Sequence, residues 1–182
     1  PEIGSIWQSL DLDQNLNLER IEFRQNRAGD SMVIFHGREQ DIPSVLADTN
    51  TSIVHMYGND QVIIAGEDHI NMQVMDKEFR VSAGSFFQTN FSATEKLIKV
   101  VLDTVGDRHY KSIWDIYCGV GLFSAFLAKA TEHLLAIESS PFACTDFAEN
   151  MDEFDHVELY QGSAETVLTG LTSKPELIIV DP

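Results

Sequence analysis

Asp115-Ile-Tyr-Cys-Gly-Val-Gly121 is the stretch of sequence that decides the fold of this chain. Residues 113–117 predict a short buried strand, and Gly119 and Gly121 allow the backbone to turn tightly where a Cβ atom would collide with a ligand. Residues 122–130 are apolar and rich in small side chains, and they predict a helix. A strand, a glycine turn and a helix in this order are typical of the first part of a nucleotide-binding α/β domain.

A carboxylate follows the next predicted strand. Residues 134–137 form that strand, and Glu138 comes directly after it. A carboxylate in this place can accept hydrogen bonds from both ribose hydroxyls of a nucleotide-type ligand. Ser124 stands where the dinucleotide fingerprint Gly-x-Gly-x-x-Gly requires its third glycine. This departure argues against NAD and FAD, and it favours S-adenosylmethionine as the cofactor.

The charge of the chain limits its partners. The 182 residues include 12 basic and 29 acidic ones, which gives a formal net charge of −17. A strongly acidic protein is soluble but repels phosphate backbones, because like charges face each other across the interface. The composition therefore argues against a self-sufficient nucleic-acid-binding protein.

The cysteines and the hydropathy exclude other classes. Cys118 and Cys144 are too few and too isolated for a disulfide framework, an iron–sulfur cluster or a zinc knuckle. The histidines show no metal-ligand spacing. The sequence has no apolar run of ~18 residues, so no membrane span is expected, and no signal-peptide pattern opens it. We therefore expect no metal site and a cytoplasmic location.

The chain divides into two predicted domains. The first, residues 1–79, is a small strand-rich α+β domain with a short helix near residues 6–10 and another from residue 43. Its strands, the last of which crosses the boundary, are predicted at residues 20–24, 32–35, 52–56, 62–65, 72–75 and 78–81. In the second, residues 80–182, helices and strands alternate, which predicts the first four strands of an incomplete, Rossmann-like parallel sheet.

Two helix starts are marked in the second domain. Ser92-Ala-Thr-Glu95 predicts a capping box, in which the glutamate reaches back toward the helix start. Ser140 followed by Pro141 predicts a helix N-cap with proline at the first helical position. The third and fourth strands are predicted at residues 157–160 and 177–180.

Two further stretches complete a resemblance to a known family. Ser85-Phe-Phe-Gln-Thr-Asn90 precedes the glycine turn, and Asp181-Pro182 follows the fourth predicted strand. Together with the glycine turn and Glu138, they resemble the RNA uracil-5-methyltransferases, which make 5-methyluridine in tRNA and 23S rRNA from S-adenosylmethionine. Generic methyltransferases share the glycine turn and the carboxylate but not Phe-Phe-Gln-x-Asn. The resemblance implies a class I methyltransferase domain and an RNA substrate.

The resemblance also implies roles in cofactor binding. Gln88 carries donor and acceptor groups suited to the methionine carboxylate and amine, and its alternative is a loop residue that caps the following helix. Gly119 and Gly121 would pass close to the cofactor. Glu138 would bind the ribose, and its alternative is a charge at the N-terminus of the helix that Ser140 begins.

Three further cofactor-binding residues follow from the same resemblance. Tyr117 would lie beside the cofactor, and its alternative is a buried aromatic residue at a strand end. Ser163 matches the position at the adenine edge, although a loop serine is common. Asp181 would lie between cofactor and target base, and its alternative is a turn at the end of a strand.

The family's mechanism is covalent, and its reactive residues come later in the sequence. A cysteine thiolate adds to C6 of uracil, C5 takes the methyl group from the sulfonium, and a base removes the C5 proton as the thiolate is expelled from C6. We therefore predict no catalytic residue here and interpret Cys118 as a packing residue. The chain is interpreted as an inactive fragment of a longer methyltransferase. The fourth strand of this fragment would be exposed and would promote self-association.

Two alternatives stay open. A non-catalytic or degenerate methyltransferase-fold binding module would explain the absent catalytic residues and the negative charge. A different methyltransferase with an Asp-Pro motif, such as an adenine N6 enzyme, would share Asp181-Pro182. The residues that follow Pro182 in the complete protein would separate these classes.

Overall fold

The structure is a computed structural model that describes residues 18–38 and 51–182. It divides into two compact units. The first comprises the described residues up to Gln73 together with Ser82–Gly84, and the second comprises Val74–Val81 with Ser85–Pro182. The short helices predicted near residues 6–10 and from residue 43 lie outside the described residues. The predicted domain boundary between residues 79 and 80 stays a prediction.

The first unit contains a four-stranded sheet. Its strands, in the spatial order β1-β2-β3-β4, are β1 Leu18–Gln25, β2 Ser31–Gly37, β3 Thr51–Tyr57 and β4 Asp60–Ala65. β1 pairs antiparallel with β2, β2 parallel with β3, and β3 antiparallel with β4. Val33, Phe35 and Ile53 are buried at its core. The strands predicted at residues 20–24, 32–35, 52–56 and 62–65 are confirmed.

Two short strands follow in sequence, β5 His69–Val74 and β6 Lys77–Ser82. Met75, predicted as a strand residue, lies instead in the turn after β5 with φ of 55°. The prediction was wrong because the two-residue turn from β5 to β6 takes a left-handed residue, and the side chain pattern does not show which residue accepts that conformation.

The second unit alternates helices and strands as predicted. Its elements are α1 Phe91–Val105, β7 Ile113–Ile116, α2 Leu122–Leu127 with a 3₁₀ turn at Ala128–Ala130, β8 Leu134–Glu138, α3 Pro141–Asn150, β9 Val157–Gln161, α4 Ala164–Gly170 and β10 Leu177–Val180. All neighbouring strands are parallel, in the order β10-β7-β8-β9. This is the predicted doubly wound α/β arrangement.

The register of the parallel sheet brings the ends of three strands together. Ile116 of β7 lies opposite both Ile137 of β8 and Val180 of β10. The residues that come next, Tyr117 and Asp181, together with Glu138 at the end of β8, therefore lie at one edge of the sheet. Ligands of open α/β sheets collect at this carboxyl edge.

The helix starts agree with the sequence in one case and differ in the other. The Ser140 side chain accepts a hydrogen bond from the Ala143 amide at 3.4 Å, so the predicted N-cap of α3 is confirmed. The capping box predicted from Ser92 was wrong. Asn90 caps α1 instead, because its carboxamide oxygen accepts from the Ala93 amide at 3.1 Å and so begins the helix two residues earlier.

Candidate functional site

The glycine turn after β7 is built from left-handed residues. Tyr117, Gly119 and Gly121 have φ of 65°, 54° and 93°. The amides of Tyr117 and Cys118 both donate to the Ile137 carbonyl of β8, at 2.9 and 3.1 Å. The Gly121 amide donates to the Cys118 carbonyl at 2.9 Å and closes the turn. A left-handed tyrosine is uncommon and occurs where the surrounding structure enforces it, often at functional sites.

Glu138 connects β8 to the glycine turn. Its Oε2 accepts a hydrogen bond from the Gly119 amide at 3.0 Å. Its Oε1 accepts from the Ser139 and Ser140 amides, each at 2.7 Å. One oxygen thus serves the N-terminus of α3, while the other faces the turn. The structure shows the helix N-terminal role that was considered as the alternative for this residue, and ribose binding stays a prediction.

A cavity of about 240 Å³ lies at the carboxyl edge of the parallel sheet. Gln88, Tyr117, Gly119 and Asp181 all line it. These four predicted residues come from separate parts of the sequence, and the fold brings them together. Phe86 and Phe87 complete one wall with aromatic rings. The cavity therefore combines an apolar wall with a few polar groups, as small-molecule sites commonly do.

The other predicted site residues lie outside the lining. Gly121 follows the turn and precedes α2. Glu138 reaches the cavity's edge through its bond to Gly119. Ser163 caps α4, because its Oγ accepts from the Thr166 amide at 3.3 Å and donates to the Thr166 hydroxyl at 2.9 Å. The adjacent Gly162 amide donates to the Glu138 carbonyl at 2.8 Å.

A buried carboxyl group lies beneath the turn. Asp115 Oδ2 accepts a hydrogen bond from the Ser124 hydroxyl at 2.6 Å, and Oδ1 has no hydrogen-bond partner among the described residues. Burial raises the pKa of Asp115 to about 6, against the opposing effect of the Ser124 hydroxyl. The serine that replaces the third fingerprint glycine therefore serves Asp115. The sequence showed the substitution but not its partner.

Asp115 gives a pH-dependent prediction. Because its pKa rises from 3.8 to about 6 on folding, the folded state is favoured below pH 4 and loses this stabilisation as the pH rises through about 6. We expect the stability difference between Asp115→Asn and the wild-type chain to grow over this interval and to level off above it. Urea denaturation across pH 4–7 measures it, with exposed Asp103→Asn as control. Parallel profiles for wild type and Asp115→Asn would exclude the effect.

Both thiols are buried beside the site. Cys118 is 4% exposed, and burial, reinforced by Asp115, raises its pKa. Cys144 lies on the buried face of α3, and burial with the nearby Glu138 raises its pKa to about 11. The thiolate is the nucleophilic form of cysteine. The raised pKa of each thiol favours its protonated form, and the burial of Cys118 fits its interpretation as a packing residue.

One buried ion pair of the second unit was missed in the sequence. Asp146 of α3 is fully buried. Its Oδ1 accepts from the Arg80 guanidinium, and its Oδ2 accepts from the Ser85 hydroxyl at 2.5 Å. A charged residue between Cys144 and Phe147 on an otherwise apolar helix face was the available signal, since such a charge needs a partner.

The part of the chain that the structure describes shows neither a cluster of metal-ligating side chains nor a helix that could span a membrane. Residues 18–38 and 51–182 contain no group of three or more His, Cys, Asp or Glu side chains that could hold a metal ion. In the same ranges, no helix has both the length and the apolar character to cross a membrane.

The parallel sheet, the glycine turn and the carboxylate at the end of β8 define a Rossmann-like class I methyltransferase domain. The model of the tRNA (Uracil-5-)-methyltransferase family matches residues 46–178. The chain therefore belongs to this family. The resemblance stated from the sequence motifs is confirmed.

Curated relatives are named RNA methyltransferases. An uncharacterized RNA methyltransferase of Clostridium acetobutylicum is 31% identical over 145 residues, which cover 78% of this chain and 32% of that protein. An uncharacterized RNA methyltransferase of Streptomyces avermitilis is 33% identical over 161 residues, which cover 84% of this chain and 37% of that protein. The chain thus spans about a third of the length of the curated relatives that it matches.

Solved structures share the fold. The tRNA (uracil-54, C5)-methyltransferase of Pyrococcus abyssi, in complex with S-adenosyl-L-homocysteine, aligns with a TM-score of 0.67 and 24% identity over 89% of this chain and 43% of that one. The tRNA m1G37 methyltransferase of M. jannaschii aligns with a TM-score of 0.54 and 15% identity over 88% and 51%. These alignments confirm the predicted fold class.

Proposed function

We propose that the complete protein is an S-adenosylmethionine-dependent RNA (uracil-5-)-methyltransferase that acts on tRNA or 23S rRNA, and that this chain is its cofactor-binding part. The observation that carries the proposal is the bond from Gly119 to Glu138 beside a cavity lined by Gln88 and Asp181. Membership of the family supports the reaction. The substrate and the activity belong to the whole protein and are proposed for it.

The electrostatics of the site fit this cofactor. S-adenosylmethionine carries positive charge on its sulfonium and ammonium groups and supplies an electrophilic methyl group. Asp115 has a buried oxygen without a partner among the described residues, and Asp181 and Glu138 are close enough to raise its pKa. Glu138 and Asp181 at this edge of the sheet, with Asp115 buried beneath the turn, favour a cationic ligand.

Glu138 and Gln88 would bind opposite parts of the cofactor. Glu138 can still accept from ribose hydroxyls, because each carboxylate oxygen has two acceptor positions and Oε2 uses one for Gly119. Gln88 would bind the methionine carboxylate and amine. Gly119 and Gly121 would let the backbone approach the ligand.

The remaining contacts concern the adenosine of the cofactor and the target base. Tyr117 reaches toward α4, where its hydroxyl donates to Glu165 at 3.5 Å, and we propose that its ring lies beside the adenosine. Ser163 would meet the adenine edge through its backbone, since its hydroxyl caps α4. Asp181, on the cavity wall, would lie between the methyl group and the target uracil.

We propose that the chain alone does not methylate RNA. Its two cysteines are both buried, so the thiolate that attacks C6 of uracil must come from elsewhere in the complete protein. RNA binding would depend on other parts as well, because this chain carries a charge of −17. Residues 1–79 would then assist as an RNA-contacting domain, and the protein would work in the cytoplasm, which imaging of a tagged complete protein would test.

Methylation of RNA by the complete protein tests the proposed reaction. With isotope-labelled S-adenosylmethionine and unmodified tRNA or 23S rRNA, the product should be 5-methyluridine, identified by mass spectrometry of nucleosides. Label on an exocyclic adenine amine would support the alternative Asp-Pro class. No transfer to any RNA by a cofactor-bound protein would support the binding-module alternative.

We propose that the isolated chain self-associates through β10. This strand is at the edge of the parallel sheet, and Ile178 and Val180 are 47% and 58% exposed. Exposed apolar edge strands pair readily with other chains. Val180→Lys should shift sedimentation toward the monomer, whereas Val100→Lys on α1, where the valine is 61% exposed, should not. A wild-type chain that stays monomeric at high concentration would contradict this proposal.

A further inference from the structure

One side chain of α3 contacts two separate segments of the second unit. Asn150 Nδ2 donates to the carbonyls of Arg80, at 3.0 Å, and Val120, at 2.9 Å. Its Oδ1 accepts from the Arg80 amide at 2.7 Å. The oxygen and the nitrogen of the carboxamide thus both bind backbone groups. Two of these groups belong to Arg80 of β6, and the third belongs to Val120 in the glycine turn.

Asp146, one helical turn before Asn150, contacts the first of these segments again. The buried carboxylate accepts from the Arg80 guanidinium and from the Ser85 hydroxyl, which is also buried. The Arg80 Nε lies 3.3 Å from Glu149. A buried carboxylate without such partners would be costly, so the positions of Arg80 and Ser85 are fixed relative to α3.

Ser85 and Val120 lead directly into the cavity wall. Ser85 precedes Phe86, Phe87 and Gln88, and Val120 lies between the two glycines of the turn. The same helix begins just after Glu138, whose carboxylate accepts from the Ser139 and Ser140 amides. Helix α3 therefore connects the cavity wall formed by Phe86 and Phe87, the cavity wall formed by the glycine turn, and the Glu138 carboxylate.

We propose that Asp146 and Asn150 are positioning residues that hold the two walls of the cavity at a fixed separation. Neither side chain lines the cavity, so both act through the segments they bind. The proposal rests on the proposed function only for the identity of the ligand. The geometric claim concerns the walls themselves and can be tested without a ligand.

Nuclear magnetic resonance of Asn150→Ala tests the proposal on the wall structure. The Gly119 and Gly121 amides are hydrogen-bonded, and their hydrogen exchange should become about tenfold faster when the bond that anchors the turn is lost. The contact between the Phe79 and Phe87 rings, with centroids 5.9 Å apart, should weaken in the nuclear Overhauser spectrum.

Leu134→Ala is the matched control, because Leu134 is buried at the start of β8, at the opposite end of that strand from Glu138. It should lower global stability without changing either readout. If Asn150→Ala does not fold, Asp146→Asn replaces it, since this change keeps the shape and one acceptor oxygen. Unchanged exchange and an unchanged ring contact in a destabilised Asn150 variant would overturn the proposal.

Titration with S-adenosylhomocysteine separates this proposal from the proposed function. The affinity of Asn150→Ala should fall about tenfold at a temperature where both chains are folded, and that of Leu134→Ala should not. Equal affinities of wild type and Asn150→Ala would overturn the positioning role. A wild-type chain that does not bind would contradict the proposed function, while the exchange experiment would still decide the positioning role.

Discussion

Gly121→Ala should lower the free energy of unfolding by about 2–4 kcal/mol and remove measurable binding of S-adenosylhomocysteine. An added Cβ would lie 3.0 Å from Phe147 Cδ2, 3.3 Å from Phe147 Cε2 and 3.4 Å from Met151 Cγ. The Gly121 backbone also has φ of 93°, a conformation that residues with a side chain rarely adopt. The turn must move away from α3, and the cavity wall changes with it. Chemical denaturation and calorimetry measure the two effects.

Two other glycines serve as controls for Gly121. A Cβ at Gly119 meets no atom within 4 Å, although φ is 54°, so Gly119→Ala should cost only about 1 kcal/mol of stability. It should still weaken binding, because Gly119 lines the cavity. Gly170→Ala has neither strain nor a close neighbour, so it should leave binding unchanged and should not destabilise the chain. A Gly121→Ala chain as stable as Gly170→Ala would contradict the prediction.

Glu138→Gln should weaken S-adenosylhomocysteine binding by about 1.5–3 kcal/mol, the range for hydrogen bonds to a charged group. Glutamine has nearly the same size, but its amide nitrogen donates, so the side chain cannot accept both from Gly119 and from the Ser139 and Ser140 amides. The charge that would bind two ribose hydroxyls is lost as well. Calorimetric titration measures the change.

The control for Glu138 is Glu132→Gln, which makes the same change in charge at an exposed position. Its affinity should equal that of the wild-type chain. The ribose role would be ruled out if Glu138→Gln kept the wild-type affinity while Glu132→Gln behaved as expected.

Local patterns predicted most of the second unit. β7, β8 and β10 are short apolar runs between turn residues, and the structure places each within a residue of its predicted bounds. The α/β alternation then brings their ends to one edge, which is why Tyr117 and Asp181 meet across the same cavity. The family motifs were needed to predict Gln88 as a site residue. It lies far from the glycine turn in the sequence, so local patterns do not show that the two are close in space.

Contacts between distant residues could not be predicted from these patterns. Arg80 and Ser85 meet Asp146 across sequence separations of 66 and 61 residues, and no spacing rule relates such positions. The pairing of Ser124 with Asp115 depends on how α2 lies against β7. The start of α1 was a local competition, in which Asn90 and Ser92 both have side chains that cap helices. The positions of these two residues in the sequence do not show which of them caps the helix.

Calorimetric titration of S-adenosylhomocysteine into the folded chain is the most direct test of whether these residues form a cofactor site. We predict one-to-one binding by the wild-type chain without RNA, weakened in Glu138→Gln and retained in Glu132→Gln. A folded wild-type chain that gives no binding heat and no rise in melting temperature at saturating ligand would show that the cavity beside Gly119 is not a cofactor site.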